Sequence, residues 1–400
     1  MKTQIIFFIV FLFLSVSVFG QNNKVNKHHS DNVIKQKLDS LIVQNQSKKE
    51  YIYDTNGNIT LEVDYYWDKG KWSLSFKTEC IYDTNNNNTL RVRFIGRDNQ
   101  WIPYDKFENN FNSNGQCKQA IFYNWNNFQW IPLNKYTHYY NANNKEDLEI
   151  DFNWTDNKWA ANFKRELTYD SSGNITQNIC HSLINNKWEI NVNRKFYDSK
   201  NNITQEVNSR EGVPTVKFKY AYDSYGNKTE HIKYKWNNNQ WVFEWKKEYS
   251  YDVKNNNTKE ISCKWENNQW KVGGKWEYTY DNKNNMILYI GYNWDKNQWV
   301  SGEKNEIVYD TIGNTEQEVN YNERGEPTHK FLYTYDLNSN LSDVIFPLQS
   351  DAWTFNECDD VSIQVGINFK NKPIEFSLVR WDNYHNNWEP KKSTMFYYSE

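Results

Sequence analysis

The sequence predicts an all-β protein: an antiparallel β-hairpin repeat array of about 29-residue units, drawn as a curled sheet or solenoid, with a β-propeller as the alternative. Three observations carry this. An aromatic residue followed by Asp or Asn recurs at Tyr53, Tyr82, Phe111, Tyr140, Tyr169, Tyr197, Tyr222, Tyr251, Tyr280, Tyr309 and Tyr335, and seven of the ten spacings equal 29. Four residues after each aromatic stands Gly or Asn, from Gly57 and Asn86 to Asn284 and Gly313; only Ser339 departs. Tryptophans bracket a polar tetrapeptide at Trp67/Trp72, Trp125/Trp130, Trp154/Trp159, Trp236/Trp241, Trp265/Trp270 and Trp294/Trp299.

The elements follow in order. Residues 1–20 carry a basic start, an apolar run from Ile5 to Val18 and Gly20 before Gln21, the pattern of a signal peptide. Residues 21–50 form an N-terminal segment. Within it, Ile34, Leu38, Leu41 and Ile42 stand at helical spacing, which predicts a short helix over 31–45. Residues 51–340 hold the eleven repeats. Gly and Asn share a tolerance of positive φ, so the recurring slot predicts a left-handed turn residue, with the preceding Asp bonding the turn's own N–H groups. "YIYDTNGNIT" (51–60) is the first of these turns. The Trp-bracketed tetrapeptides predict four-residue hairpin loops with the two indoles facing each other across the strands.

Each unit is therefore two strands and two turns, as in Ile59–Trp67 and Trp72–Tyr82, giving about twenty strands in all. Glu79, Glu166, Glu248, Glu277 and Glu306 recur three residues before the Tyr and predict a solvated face with cross-strand Lys/Glu pairs. Pro214 and Pro327, in two shorter units, predict hairpins at an edge, since Pro donates nothing to a ladder. Residues 341–400 lose the Tyr-Asp turn but keep Trp388 and Tyr398, ten apart like Trp72 and Tyr82, and read as a modified last hairpin acting as a cap.

Composition narrows the function. Hydrophobic residues make 38% of the 400, and aromatics alone 18%, so Trp, Tyr and Phe supply the packing area in place of aliphatics. A net charge of −3 with no basic run argues against nucleic acid and against an anionic membrane surface. No membrane span is expected after removal of the leader, whose apolar run is short for one. The five cysteines are odd in number, form no CxxC, and read as isolated thiols.

The "YDxxGN(I/L)T" element resembles the YD repeats of bacterial Rhs-type and teneurin-like proteins. The fuller unit, Tyr-Asp turn plus W-x4-W turn, resembles secreted tandem-repeat proteins of Gram-negative bacteria associated with type IX secretion. That resemblance spans residues 38–400 and implies an extracytoplasmic protein without a catalytic role. A C-terminal sorting domain of that kind is expected to be lacking, because repeat-like sequence runs to Glu400.

Chemical motifs are sparse. "DTNGN" alternates like a calcium loop, but Gly57 stands fourth from Asp54 rather than sixth, and position twelve is Tyr65, not an acid. The seven histidines show no metal-ligand spacing, and neither GxSxG nor a phosphate loop is present. No cofactor, metal or catalytic residue is expected, and the protein is not expected to be an enzyme. The expectation is a secreted β-repeat protein acting as a structural or protein-binding module at the cell envelope or beyond it. The alternative is a carbohydrate-binding module. For it, the candidate ligand-stacking residues are Trp236, Trp241, Trp265, Trp270, Trp294 and Trp299.

Overall fold

A computed structural model describes residues 36–43, 46–339, 344–345, 353–358, 361–365, 371–382, 385 and 387–399. The chain divides into Met1–Ile34 and Lys35–Glu400, and every described residue belongs to the second unit. The expected signal peptide lies outside the described residues.

The strands are β1 (Gln36–Val43), β2 (Ser47–Tyr53), β3 (Ile59–Asp68), β4 (Lys71–Tyr82), β5 (Asn88–Arg97), β6 (Gln100–Phe111), β7 (Cys117–Asn126), β8 (Gln129–Tyr140), β9 (Glu146–Thr155), β10 (Lys158–Tyr169), β11 (Ile175–Ile184) and β12 (Lys187–Tyr197). They continue with β13 (Ile203–Arg210), β14 (Val213–Tyr222), β15 (Lys228–Asn237), β16 (Gln240–Tyr251), β17 (Asn257–Glu266), β18 (Gln269–Tyr280), β19 (Met286–Asp295), β20 (Gln298–Tyr309), β21 (Thr315–Tyr321) and β22 (Pro327–Asp336). After the short β23 (Val344–Ile345), β24 (Trp353–Cys358) and β25 (Val361–Val365) come β26 (Lys372–Asp382) and β27 (Asn387–Ser399).

Each strand from β1 to β21 pairs antiparallel with the next; β22 pairs with β26, β26 with β27, and β27 returns to β1. The result is a closed 24-strand antiparallel barrel, which corrects the expected open array or solenoid and equally the propeller alternative. The modified last hairpin does not cap an array; it closes a ring, with Leu41 opposite Phe396 and Val43 opposite Thr394. The helix expected over 31–45 is, from Gln36 to Val43, the strand that receives this hairpin. Tertiary pairing on both sides overrides a weak local periodicity. β23 lies parallel to the start of β1, and β24 and β25 form a separate two-stranded sheet.

Turns set the register. The Gly/Asn slot has positive φ wherever the sequence places it, from Gly57 (86°) and Asn86 (64°) to Asn284 (68°) and Gly313 (103°). The Trp-bracketed loops are tighter than the four residues expected. Both central residues have positive φ, as in Asn238 (47°) and Asn239 (59°), so each is a two-residue type I′ turn and the outer two residues pair within the strands. Pro214 and Pro327 do not mark an edge, because the barrel has none. Pro214 stands second in β14 and Pro327 first in β22, each beside a register shift where no ladder N–H is required.

A bulge then separates the two faces of the wall. Trp72 and Tyr82 stand an even number of residues apart, so plain alternation puts them on one face. In β4, however, Tyr65 pairs with Leu74 while Asp64 pairs with Phe76, leaving Ser75 as an extra residue. The same shift recurs in β6, β8, β10, β16 and β18. Trp pairs therefore project from one face of the sheet and the repeat tyrosines from the other.

On the tyrosine face, one hydrogen bond recurs in every hairpin of the ring among the described residues. The hydroxyl of the repeat Tyr donates to the backbone carbonyl at the start of the partner strand: Tyr82 to Ile59 (3.0 Å), Tyr140 to Cys117 (2.7 Å), Tyr251 to Lys228 (2.9 Å) and Tyr280 to Asn257 (3.0 Å). The first hairpin makes it through Tyr53 to Leu38 (2.7 Å), and the last through Tyr398 to Pro373 (2.8 Å). Phe111 lacks the hydroxyl, and there the Asn109 amide donates to Asn88 O instead (2.9 Å). Along the same rim, turns link through Asn amides: Asn58 to Asn86, Asn114 to Asn144, Asn174 to Asn201 and Asn227 to Asn255, at 2.9–3.0 Å.

The apolar core sits at the seam. Leu38 (0% exposed), Leu41, Val43, Tyr51, Phe331, Phe376 (2%), Leu378 and Phe396 form one buried cluster across β22, β26, β27, β1 and β2. Burying each such side chain contributes about 1.5–3 kcal/mol, so closure is where the hydrophobic term concentrates.

The carbonyl bond is testable at its one substitution. Asn109→Ala should cost about 1 kcal/mol, read as a fall in the thermal midpoint, and adding Phe111→Tyr should recover most of it. A silent Asn109→Ala, or no recovery, would contradict the role assigned to this bond.

Candidate functional site

The tryptophan face is built from three belts. At one rim the indoles meet edge to face: Trp236–Trp241 at 4.9 Å and 70°, Trp265–Trp270 at 5.0 Å and 69°, Trp294–Trp299 at 4.9 Å and 72°. Such pairs contribute about 0.5–1.5 kcal/mol beyond area burial. The six indoles are half-buried apart from Trp294, which is 40% exposed. A lysine ammonium also lies over the second indole of each pair: Lys217 over Trp241 (4.7 Å), Lys246 over Trp270 (5.3 Å) and Lys275 over Trp299 (5.1 Å). The structure thus brings these candidates together in pairs, each ring engaged by its partner or a cation.

The middle belt holds those lysines, and the third holds the recurring glutamates. The ion pairs run along a strand, two residues apart, rather than across strands: Lys77–Glu79 (2.7 Å), Lys106–Glu108 (2.6 Å), Lys164–Glu166 (2.9 Å), Lys275–Glu277 (2.7 Å) and Lys304–Glu306 (2.5 Å), with Lys48–Glu50 and Lys246–Glu248 alike. Five of these lysines place the ammonium over an aromatic ring of the next strand, as Lys77 over Phe94 (4.0 Å) and Lys106 over Tyr123 (4.1 Å), with Lys48, Lys275 and Lys304 alike. Tyr65 and Tyr123 donate in turn to Glu50 and Glu108, both at 2.8 Å. Burial opposes ionisation of Glu108, but bonds from Lys106 and Tyr123 outweigh it and lower its pKa.

The tyrosine face holds ionisable groups in a more enclosed setting. Arg93 grips Asp105, whose side chain is 2% exposed. Arg165 bridges Glu146 (2.7 Å) and Glu149 (2.8 Å), with His138 3.3 Å from Glu146. Asp151 stands beside this group with Oδ1 buried and lacking a hydrogen bond. Burial and then the charge of Glu149 push its pKa up to about 7. Burial also pushes His231 down to about 4, with Lys228 and Lys247 adding to the effect; its imidazole stacks on Tyr220 at 4.6 Å.

The calcium-like stretch is a turn. Asp54 Oδ1 accepts the N–H groups of Asn56 and Asn58 (both 2.9 Å), and Oδ2 accepts the Asn58 amide (2.9 Å). The carboxylate oxygens are used within the turn, and the Asn87 amide likewise holds Asp83 below the usual carboxylate range. Among the described residues, Asp382, His385 and Glu389 come within 4.8 Å of one another at the β26–β27 turn, and there His385 bonds Asp382. Four described cysteines are free thiols.

Four glycines that the repeat pattern does not single out come together in space. Gly273, Gly274, Gly291 and Gly302, on three neighbouring strands, border a hollow of about 550 Å³ together with Trp245 and Trp276. Their positions within the repeat unit, where other units carry larger residues, are the signal in the sequence that could have found them.

No family model matches the chain, and no curated protein does. Among solved structures, it is similar over 87% of its length to a TcdB2-TccC3 structure, at 11% identity and a TM-score of 0.36; it spans 20% of that chain. A porin-like protein from Bacteroides uniformis is similar over 90% of this chain and 98% of its own, at 6% identity and a TM-score of 0.23. A DUF3836 family protein from Bacteroides vulgatus is 25% identical over 21% of this chain and 89% of its own, with a TM-score of 0.19. At these TM-scores none of the three bears on function.

The Asp151 cluster predicts a pH dependence of stability. An acid whose folded pKa lies above its unfolded value holds a proton in the folded state that the unfolded chain has released, so stability falls as pH rises from about 4 through 7. Asp151→Asn should raise the thermal midpoint more at pH 8 than at pH 5. An equal gain at both would refute the assignment.

Proposed function

We propose that this chain is a secreted, non-catalytic β-barrel that stands in water on both faces of its wall, serving as a structural or binding body at the cell envelope or outside the cell. The observation that carries this reading is the placement of charge. No helix among the described residues is long and apolar enough to cross a membrane, which says nothing about a barrel. A spanning barrel needs an outward apolar band about 25 Å tall between its aromatic girdles. The tryptophan face carries seven Lys–Glu pairs below its indole belt. The tyrosine face carries Arg93, Asp105, Glu149, Arg165, Lys247 and Glu260. Whichever face points outward, it presents charges to the hydrocarbon, at about 2–4 kcal/mol for each lysine or arginine near the midplane. Mean hydropathy is −0.98 across the chain.

The leader-like residues 1–20 support a place beyond the cytoplasm, and the resemblance to YD-repeat proteins supports a wall-building role. No reaction is assigned. The polar groups of the Tyr-Asp turns are spent on the turns, and the lysine and glutamate belts on each other.

The test is purification of the chain from Gln21 onward without detergent, followed by flotation with lipid vesicles. The protein should be monodisperse and remain at the bottom of the gradient. A requirement for detergent, or flotation with the vesicles, would overturn the reading.

A further inference from the structure

In a wall made of near-identical units, a ligand site has to be where the units differ. The slot occupied by Phe76 in β4 is Phe163 in β10 and Trp245 in β16, and it is Gly274 in β18. The neighbouring bulge residue is Ser75 in β4 and Leu133 in β8, but Gly273 in β18 and Gly302 in β20. The Gly291 slot holds Arg93 in β5 and Asp151 in β9. Glycine within a strand costs about 0.5–1 kcal/mol relative to alanine, and its recurrent use there is to let something approach the backbone closely. Four such glycines converge on one hollow of about 550 Å³.

Part of the cleared space is taken by Trp276. A Cβ at residue 291 would lie 2.7 Å from its six-membered ring, so the indole reclines across β19 only because residue 291 is glycine. Trp245 borders the same hollow from β16, two strands away, which is about 10 Å at the usual strand spacing. Lys264 and Glu303 border it from β17 and β20. Among the described residues neither makes an ion pair, unlike the lysines and glutamates of the belts.

We propose that this hollow binds a short neutral oligosaccharide, with Trp276 and Trp245 as ring platforms about two sugar units apart and Lys264 and Glu303 as hydrogen-bonding groups at either side. Aromatic platforms above cleared backbone, flanked by hydrogen-bonding groups of both signs, suit flat hydroxylated rings, and the second carboxylate at Glu323 on the border disfavours an acidic glycan. An extended peptide is disfavoured, because strand addition needs a free sheet edge and the closed barrel offers none. The site does not depend on where the barrel resides, so its failure and the failure of the solvated-barrel reading are separate results.

The experiment is a glycan array of neutral, acidic and N-acetylated oligosaccharides, followed by tryptophan-fluorescence titration with cellotriose and chitotriose. Wild type should bind neutral oligosaccharides. Trp276→Ala should weaken binding by at least about tenfold. Gly274→Phe should do the same while keeping the thermal midpoint, because Phe fills the equivalent slot in β4 and β10. Absence of any glycan signal, preference for acidic glycans, or binding that survives Gly274→Phe in a folded protein would each overturn the proposal.

Discussion

The hydrogen bond from the repeat tyrosine to the carbonyl across its hairpin is the interaction on which the rest of the wall depends. It ties the end of one strand to the start of its partner beside the Tyr-Asp turn, as Tyr309 does to Met286 O at 3.0 Å. It also fixes which face the tyrosine occupies. Where the hydroxyl is missing, a neighbouring amide supplies the same donor to the equivalent carbonyl, so the bond and not the phenol ring is what is kept. Each bond is worth only about 1 kcal/mol net. Its weight comes from recurring in every hairpin, including the two that meet at the seam.

Closure follows from parity and from one apolar patch. An antiparallel ring needs an even number of strands, and 24 satisfies this. The eleven Tyr-Asp turns lie on one rim, and the twelfth junction of that rim is the seam between β27 and β1. There the half-buried wall gives way to a core of Leu38, Leu41, Phe376 and Phe396. The ends of the repeat thus gather buried apolar side chains into one cluster, where the repeats leave most of their aliphatics half-buried. At the rim beside the seam, Asn314 and Asn371 exchange two hydrogen bonds (2.8 and 2.9 Å) and continue the Asn linkage past the last regular turn.

Much of this was legible in the sequence. The unit length, both turn positions, the positive-φ slot and the strand limits near Ile59 and Tyr82 follow from side-chain chemistry within a few residues. Three things were not. The bulge at Ser75 leaves no local mark, so Trp72 and Tyr82 read as one face although they occupy two. The helical spacing of Leu38, Leu41 and Ile42 is equally served by a bulged strand, and pairing with both β2 and β27 decides for the strand. Closure is a relation between residues some 350 positions apart, and neither end announces it. As for sites, the Trp pairs were visible as sequence, whereas the glycine hollow emerges only when slots of adjacent units are laid side by side in space.

The most direct test of closure is amide hydrogen exchange at the two terminal strands. If the barrel is closed, β1 from Ser40 to Val43 and β27 from Thr394 to Met395 have a paired neighbour on each side, so their successive amides are bonded alternately to the two neighbours and exchange as slowly as those of β10 in mid-wall. Alternate amides along the outer side of β27 that exchange as freely as those of an exposed edge would show an open array and contradict the closed ring.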